Sequence, residues 1–370
     1  MHRENPLVGG NRLKLGLFSP NCSGGMAITT VPERWDASWD NNLALARMAD
    51  SAGIEFLLPI ARWSGYGGET DFQGSALETI TWATGLLAAT QRIAVAATVH
   101  TAFSHPIVAA KQFVTADQIA HGRFALNIVC GWNRDEYEMF GLDLPSDHQA
   151  RYDFGQEWFD VVRKLWTADT PFDWYGRHFH LRHVIGSPKP FGGTHPPILN
   201  AASSVEGRAF AVRNTDVLFT VLVDLAQGAQ DVAAVKQAAT ALGRSLQVFT
   251  TSYVVCRPTA REAQEYHDHY AGEKADWPAV DKLMQLQQLN AKSFPPEVFT
   301  LFRNRFAGGH GVFPIIGDPD TVADRLAAIS AAGFDGTTVA FVNYLDELPY
   351  FRDEVLPRLE RLGLRGSRGL

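Results

Sequence analysis

Eight short, nearly continuous apolar runs recur along this chain, with amphipathic helical patterns between them. A strand covered on both faces has no solvent side toward which to alternate, and a parallel neighbour is reached only through a crossover, usually a helix. Parallel strands are therefore expected at Lys14–Ser19, Glu55–Ile60, Ile93–Val99, Arg123–Val129, Pro197–Asn200, Asp216–Val221, Leu246–Val255 and Thr337–Val342. Helices are expected at Trp39–Ala52, Ser75–Thr90, Pro106–His121, Ala150–Leu165, Ser204–Val212, Ala226–Leu242, Ala260–Glu273, Pro319–Ala332 and Leu348–Leu362. Their starts are marked: Asp318 stands as an N-cap before Pro319 at the first helical position. Eight strands with helices between them is the count of an α/β closed (β/α)8 TIM barrel in one domain spanning residues 1–370. An open doubly wound sheet is the competing arrangement, and it would normally carry a Gly-rich dinucleotide fingerprint. Gly65–Gly68 and Gly308–Gly311 both lack the third spaced glycine, and no GxxxxGK[ST] loop occurs.

Two stretches interrupt the alternation, as insertions after strands 4 and 7. Asp169–His195 is rich in aromatics, His and Pro. Asp276–Phe313 is too long for an ordinary βα loop. Its apolar positions Trp277, Val280, Leu283, Met284, Leu286 and Leu289 predict a helix, followed by a turn at Ser293–Pro296 and a second helix near Glu297–Phe306. An insertion after a late barrel strand lies on the face that carries the active site, so a lid is expected; a packing excursion is the plainer alternative.

Of the 370 residues, 46% are hydrophobic and 20% charged, with a formal net charge of −7 and a pI of about 5.9. No basic stripe of the kind that binds nucleic acid is present. Arg358, Arg361, Arg365 and Arg368 sit with Glu360 on a helical pattern before a Gly/Ser end, which reads as a solvated face and a frayed terminus. Cys22, Cys130 and Cys256 are odd in number and far apart, with no CxxC pair, so neither a disulfide framework nor a zinc site is expected. The N-terminus does not read as a signal peptide, and no apolar run approaches the ~20 residues that span a bilayer. A cytoplasmic protein without membrane partners is the expectation.

In a barrel, reacting groups sit at the carboxyl ends of strands. Those ends carry Asn21, Arg62 and Trp63, Thr98 and His100, Asn127 to Trp132, Asn200 to Ser204, Thr220, and Asn343. They offer no nucleophile elbow, no glycosidase carboxylate pair, no Schiff-base lysine and no HExxH spacing. Hydrogen-bonding groups and aromatics remain, which suits a bound cofactor that does the chemistry itself. The segment GRFALNIVCGWNRDEYEMFG (Gly122–Gly141) places an amide, Asn127, inside an apolar strand. An unpaired buried amide costs roughly 1–3 kcal/mol, so Asn127 either satisfies neighbouring backbone or holds a ligand. Asn200 to Ser204 runs from strand into helix; its small residues and free N–H groups suit a phosphate, and an ordinary Ser N-cap is the alternative. Arg151 and Tyr152 can add a guanidinium and a phenol to the same ligand, or form a surface pair.

GRFALNIVCGWNRDEYEMFG, RYDFGQEWFDVVRKLW, NAASSVEGRAFA, LGLFSPNCSGGM, IARWSGYGGETDFQGSALE and the ending from FPIIGDPDTVADRLAAI to LPYFRDEVLPRLE together resemble the bacterial-luciferase-like flavin monooxygenases. Within them the chain is most similar to the branch of pyrimidine, dimethylsulfone and alkanesulfonate monooxygenases, from Leu13 to Leu362. The resemblance implies a (β/α)8 barrel that binds reduced FMN (FMNH2) at the strand carboxyl ends, activates O2 on the flavin and transfers one oxygen to a small organic substrate. The flavin would come from a separate NAD(P)H-dependent flavin reductase. On the matching positions, Ala61 and Arg62 would line the flavin ring, and Thr98 and Asn127 would flank its reactive edge as donors. Leu58 would wall the oxygen pocket, Glu136 would reach the flavin, and Arg151, Tyr152, Ser203 and Ser204 would hold ribityl and phosphate. Asn21, Trp63, Trp132, Arg305, His310 and Phe313 are candidate substrate contacts, each with core or lid packing as its alternative. No metal is implied. Organosulfur compounds and cyclic amide or nucleobase-like compounds are the expected substrate classes. A homodimer or homotetramer is expected, paired through the apolar patterns at Ser75–Ala89 and Val108–Ile119. A deazaflavin-dependent oxidoreductase of the same fold and a non-catalytic flavin-binding protein are the alternatives.

Overall fold

A computed structural model describes residues 5–287, 289 and 296–366. Its strands are β1 (Lys14–Phe18), β2 (Phe56–Leu58), β3 (Ala94–His100), β4 (Phe124–Val129), β5 (Phe172–Tyr175), β6 (His180–Val184), β7 (Ile198–Ala201), β8 (Val217–Phe219), β9 (Gln247–Cys256), β10 (Phe313–Gly317) and β11 (Gly336–Val339). Eight of them form a parallel ring in the order β1-β2-β3-β4-β7-β8-β9-β11, and β11 closes back on β1. This is the closed (β/α)8 barrel expected from the apolar runs, and the open sheet is set aside.

Side chains alternate along each strand, so every second residue enters the barrel. The interior is filled by Phe56, Leu58, Ala94, Ala96, Ala125, Leu199, Val217, Phe219 and Phe249. The rings of Phe56, Phe219 and Phe249 meet pairwise with centroids 6.2, 5.7 and 5.4 Å apart. Two glycines make room for them. A Cβ on Gly16 would lie 2.3 Å from the Phe56 ring, and one on Gly336 would lie 2.8 Å from the Phe249 ring. Two residues further toward the carboxyl ends, the same inward register reaches Thr98, Asn127, Ala201 and Thr251. The site is thus the last layer of the barrel filling.

Three features depart from the sequence reading. First, β9 outruns the barrel: Phe249–Thr251 pair with β11, whereas Ser252–Cys256 pair with β10, a strand that starts at the last residue of the insertion and is not among those expected from sequence. Second, Asp169–His195 holds an antiparallel hairpin, β5 with β6. Its half-buried, half-exposed alternation lacks the apolar run that flagged the barrel strands. Glu157 anchors it by accepting from Trp174 Nε1 and from the backbone N–H of His178 and Phe179 at 2.9–3.1 Å. Third, Arg365 is not part of a frayed end. Its guanidinium pairs with Glu55 at 2.7 Å, both side chains 5% exposed, and Glu55 also accepts from Leu15 N at 2.8 Å.

The second insertion contributes helices Trp277–Leu286 and Pro296–Gly309. The expected turn at Ser293–Pro296 lies, apart from Pro296, outside the described residues. Asp276 caps the first helix and accepts from Thr70 N and Oγ1 at 2.8 Å, tying the insertion to the loop after β2. Lys282 pairs with Asp135 at 2.9 Å, tying it to the segment after β4. Among the described residues no helix is long and apolar enough to cross a membrane.

Candidate active site

A cleft of about 750 Å³ opens at the carboxyl ends of the strands. Phe18, Ala201, Phe219 and Thr251 form its floor from four different strands. Arg151, Ser203 and Thr220 line one part of its wall, Trp132 and Arg134 another, and Leu286 and Gln287 of the insertion approach its rim. At one end, helix Val205–Asn214 begins. Ser204 caps it by accepting from Gly207 N at 3.1 Å, and Tyr152 packs on Phe210 with its hydroxyl beside Ser204 and Gly207. Arg151 is buried and donates to Gly131 O at 3.2 Å. A guanidinium, a serine and unpaired helix-start N–H groups together make an anion seat.

Thr98 and Asn127 are register partners on β3 and β4. Thr98 Oγ1 donates to Pro59 O at 2.6 Å, so toward Asn127 it can only accept, and Asn127 Nδ2 donates to it at 3.1 Å. Asn127 Oδ1 is left buried without a partner. Of the pair's three polar hydrogens, the Thr98 hydroxyl and one on the Asn127 amide are used in these two bonds, and Asn127 Oδ1 adds an unpartnered acceptor. Leu58 is buried beside them in the barrel filling.

Beyond Trp132, Arg62 and Glu136 form an ion pair at 2.9 Å with side chains 3% and 1% exposed. The same carboxylate oxygen accepts from Trp63 N at 2.9 Å, whereas Glu136 Oε2 is buried and unpartnered. Arg62 Nε reaches Gln73 Oε1 at 3.3 Å, and Gln73 Nε2 donates to Gly25 O at 2.8 Å. The guanidinium lies 4.8 Å from the Tyr66 ring and 5.5 Å from the Trp132 ring. Tyr66 in turn meets His310 at 5.9 Å, and Tyr66 OH and His310 Nε2 are both buried without a partner. Burial, then the nearby Arg62 charge, lowers the His100 and His310 pKa values to about 3, so both rings are neutral. Burial pushes the Tyr66 hydroxyl well above the usual phenol range.

The candidate substrate contacts divide. Trp132 and His310 join the Arg62 cluster, and Ala61 and Trp63 flank it; Trp63 is 45% exposed and packs edge-on against Phe140 at 5.1 Å. Asn21 does not face the site. It is fully buried, with its amide donating to Ile60 O and Leu77 O and accepting from Ile60 N at 2.8–3.0 Å. Arg305 is likewise spent, donating to the carbonyls of Val312 and Leu222 with its guanidinium 5.8 Å from the Phe313 ring. Arg305 and Phe313 therefore brace the insertion. His100 stands among the strand-end groups named from sequence, whereas Tyr66 and Gln73 are not marked there, although both stand in the IARWSGYGGETDFQGSALE block. A tyrosine and a glutamine in a Gly-rich loop carry no burial signal of their own.

The luciferase-like monooxygenase family model matches residues 13–336. The FMNH(2)-dependent dimethylsulfone monooxygenase of Pseudomonas fluorescens (strain Pf0-1) is 30% identical over 361 residues, covering 95% of this chain and 95% of that one. The pyrimidine monooxygenase RutA of Escherichia coli (strain K12) is 28% identical over 354 residues, covering 94% and 92%. The crystal structure of DmoA from Hyphomicrobium sulfonivorans superposes with a TM-score of 0.84 at 19% identity, over 95% of this chain and 89% of that one, a likeness of fold. The chain belongs to the luciferase-like monooxygenase family.

Proposed function

We propose that this protein is a two-component monooxygenase that takes reduced FMN from a separate NAD(P)H-dependent flavin reductase and places one oxygen atom of O2 on a small organic substrate. One observation carries the reading: a cleft at the carboxyl ends of the strands is lined by Arg151 and Ser203 beside the Ser204 helix start, and Asn127, near the carboxyl end of β4, keeps a buried unsatisfied acceptor in Oδ1. The donor set fits the group. Arg151 and Ser203 would hold a phosphate, Tyr152 and Ser204 its ribityl chain, and Phe18, Ala61, Ala201 and Trp132 the ring. When bound, the reduced flavin supplies the two electrons that activate O2. Asn127 Oδ1, an unpartnered acceptor, would take a hydrogen bond from an N–H of the reduced ring. Thr98 holds the amide in that orientation. Leu58, Phe18 and Phe219 keep the barrel floor dry, which protects a reactive oxygen species from water.

The insertion acts as a lid, tethered through Asp276 and Lys282, with Leu286 and Gln287 at the rim. Chains pair through helices Thr79–Ala89 and Pro106–Ala120, the latter exposing Val108 and Ile119. The relatives' substrates, dimethylsulfone and pyrimidine, mark organosulfur and cyclic amide compounds as the classes to test. The decisive experiment titrates the protein with reduced FMN under argon and then admits O2 by rapid mixing. A tight complex whose reoxidation differs from that of free reduced flavin is expected; reoxidation at the free-flavin rate would refute the proposal.

A further inference from the structure

Among the described residues, those lining the cleft include Arg134, His148 and Arg151 and no aspartate or glutamate. The chain as a whole carries a formal net charge of −7. A cleft lined by one sign of charge draws in ions of the other sign, even on a body that repels them at long range.

The two arginines are placed differently. Arg151 is buried, donates to Gly131 O at 3.2 Å and lines the cleft with Ser203. Arg134 is exposed and, among the described residues, has no hydrogen-bond, ion-pair or ring partner. Its own helix does not require it. It takes the first position of Arg134–Met139, where the helix start disfavours a cation, and Asn133 caps that end by accepting from Asp135 N at 3.1 Å. The nearby acids do not hold it either. Asp135 pairs with Lys282 and Glu136 with Arg62, each at 2.9 Å. Glu138, Asp143 and Asp147 lie on the flanking segments and not on the cleft wall. A buried charge such as Arg151 governs how firmly an anion is held, whereas an exposed rim charge adds little affinity and acts on the encounter.

We propose that Arg134 is a capture residue: it speeds entry of the FMN phosphate into the cleft and contributes little to its retention, which Arg151 provides. This rests on the monooxygenase reading above and deepens it. Reduced flavin free in aerated water is lost, two electrons passing from it to O2 to give oxidised flavin and hydrogen peroxide. A protein supplied by a separate reductase therefore depends on how fast it takes up the ligand as well as on how tightly it holds it. The phosphate carries about two negative charges, which the chain repels from afar and the arginine rim attracts at close range.

The test is anaerobic stopped-flow mixing of the full-length protein with reduced FMN, read by tryptophan fluorescence, at about 20 mM and about 0.5 M ionic strength. Reduced riboflavin, which lacks the phosphate, is the second probe. Arg134→Gln is expected to slow FMN association about three- to tenfold at the low ionic strength and to change dissociation by less than about twofold. At the high ionic strength, where screening leaves a reach of only a few Å, it should match the wild type. Arg134→Lys should keep the wild-type rate, since charge rather than shape is at work, and Arg134→Glu should be slower than Arg134→Gln. Riboflavin association should be the same in all four proteins. Unchanged FMN association in Arg134→Gln at low ionic strength, a loss confined to dissociation, or an equal loss for riboflavin would overturn the proposal while leaving the flavin reading intact. A wild-type protein that binds no reduced FMN refutes that reading and this role together, so the two failures are told apart.

Discussion

At Asn127 a single atom separates a structural amide from a functional one. Its nitrogen is satisfied by Thr98 and its oxygen by nothing within the protein. A buried acceptor without a partner costs about 1–3 kcal/mol, which a purely structural residue would not retain. Asn127→Ala is therefore expected to raise stability slightly or leave it unchanged, and to uncouple the reaction. Product per reduced flavin should fall about tenfold, the range of one well-placed hydrogen bond, with hydrogen peroxide rising in proportion; unchanged coupling would remove the role. Arg151 makes the contrasting case. Removing its guanidinium should weaken reduced FMN roughly tenfold to a hundredfold, the worth of one charge-assisted contact. Riboflavin, which lacks the phosphate, should be affected far less; equal losses for both ligands would place Arg151 elsewhere.

Elements were legible where one physical signal dominated. The barrel strands announced themselves because burial on both faces leaves an unbroken apolar run. Strand β10 (Phe313–Gly317) did not, since it borders the long insertion and pairs only with the overhang of β9. The β5–β6 hairpin failed for the opposite reason, being too exposed to leave an apolar run. The site was half legible. Matching motifs marked Arg62 and Glu136 singly, but their pairing across 74 residues is a fact of closure that no local pattern encodes. The same holds for Gly16, which sits on a plain apolar strand and is required by Phe56 from the next one. Gly16→Ala should cost about 1–3 kcal/mol, the range of overpacked cores. Denaturant unfolding checks it, and Gly16→Ala combined with Phe56→Leu should recover part of the loss. If the single substitution is neutral, the barrel filling is looser than the 2.3 Å approach implies.

Over the whole molecule, ionisable groups are buried at both ends of the barrel, but in different ways. At the closed end Glu55 and Arg365 are buried as a pair, so the chain terminus is fastened to β1 and the loop before β2. Arg365→Ala leaves Glu55 uncompensated and should cost about 3–5 kcal/mol. At the open end His100 and His310 are buried without a counterion and stay neutral down to a pH of about 3. The sign of the linkage follows. Both folded pKa values lie below the unfolded value of 6.5, so the unfolded chain binds protons that the folded chain refuses. Their contribution is harmless above pH 6.5 and destabilising as pH falls toward 3, at up to ~1.4 kcal/mol per pH unit for each ring. Carboxylates held below their ordinary range, such as Asp318, add to acid lability, so the wild-type slope alone does not identify the histidines. A difference does. His310→Gln cannot be protonated, and its unfolding free energy between pH 6 and 4.5 should fall less steeply than the wild type's by close to one proton's worth. Parallel curves would mean that His310 takes up its proton in the folded state. That ring would then carry a charge beside Arg62.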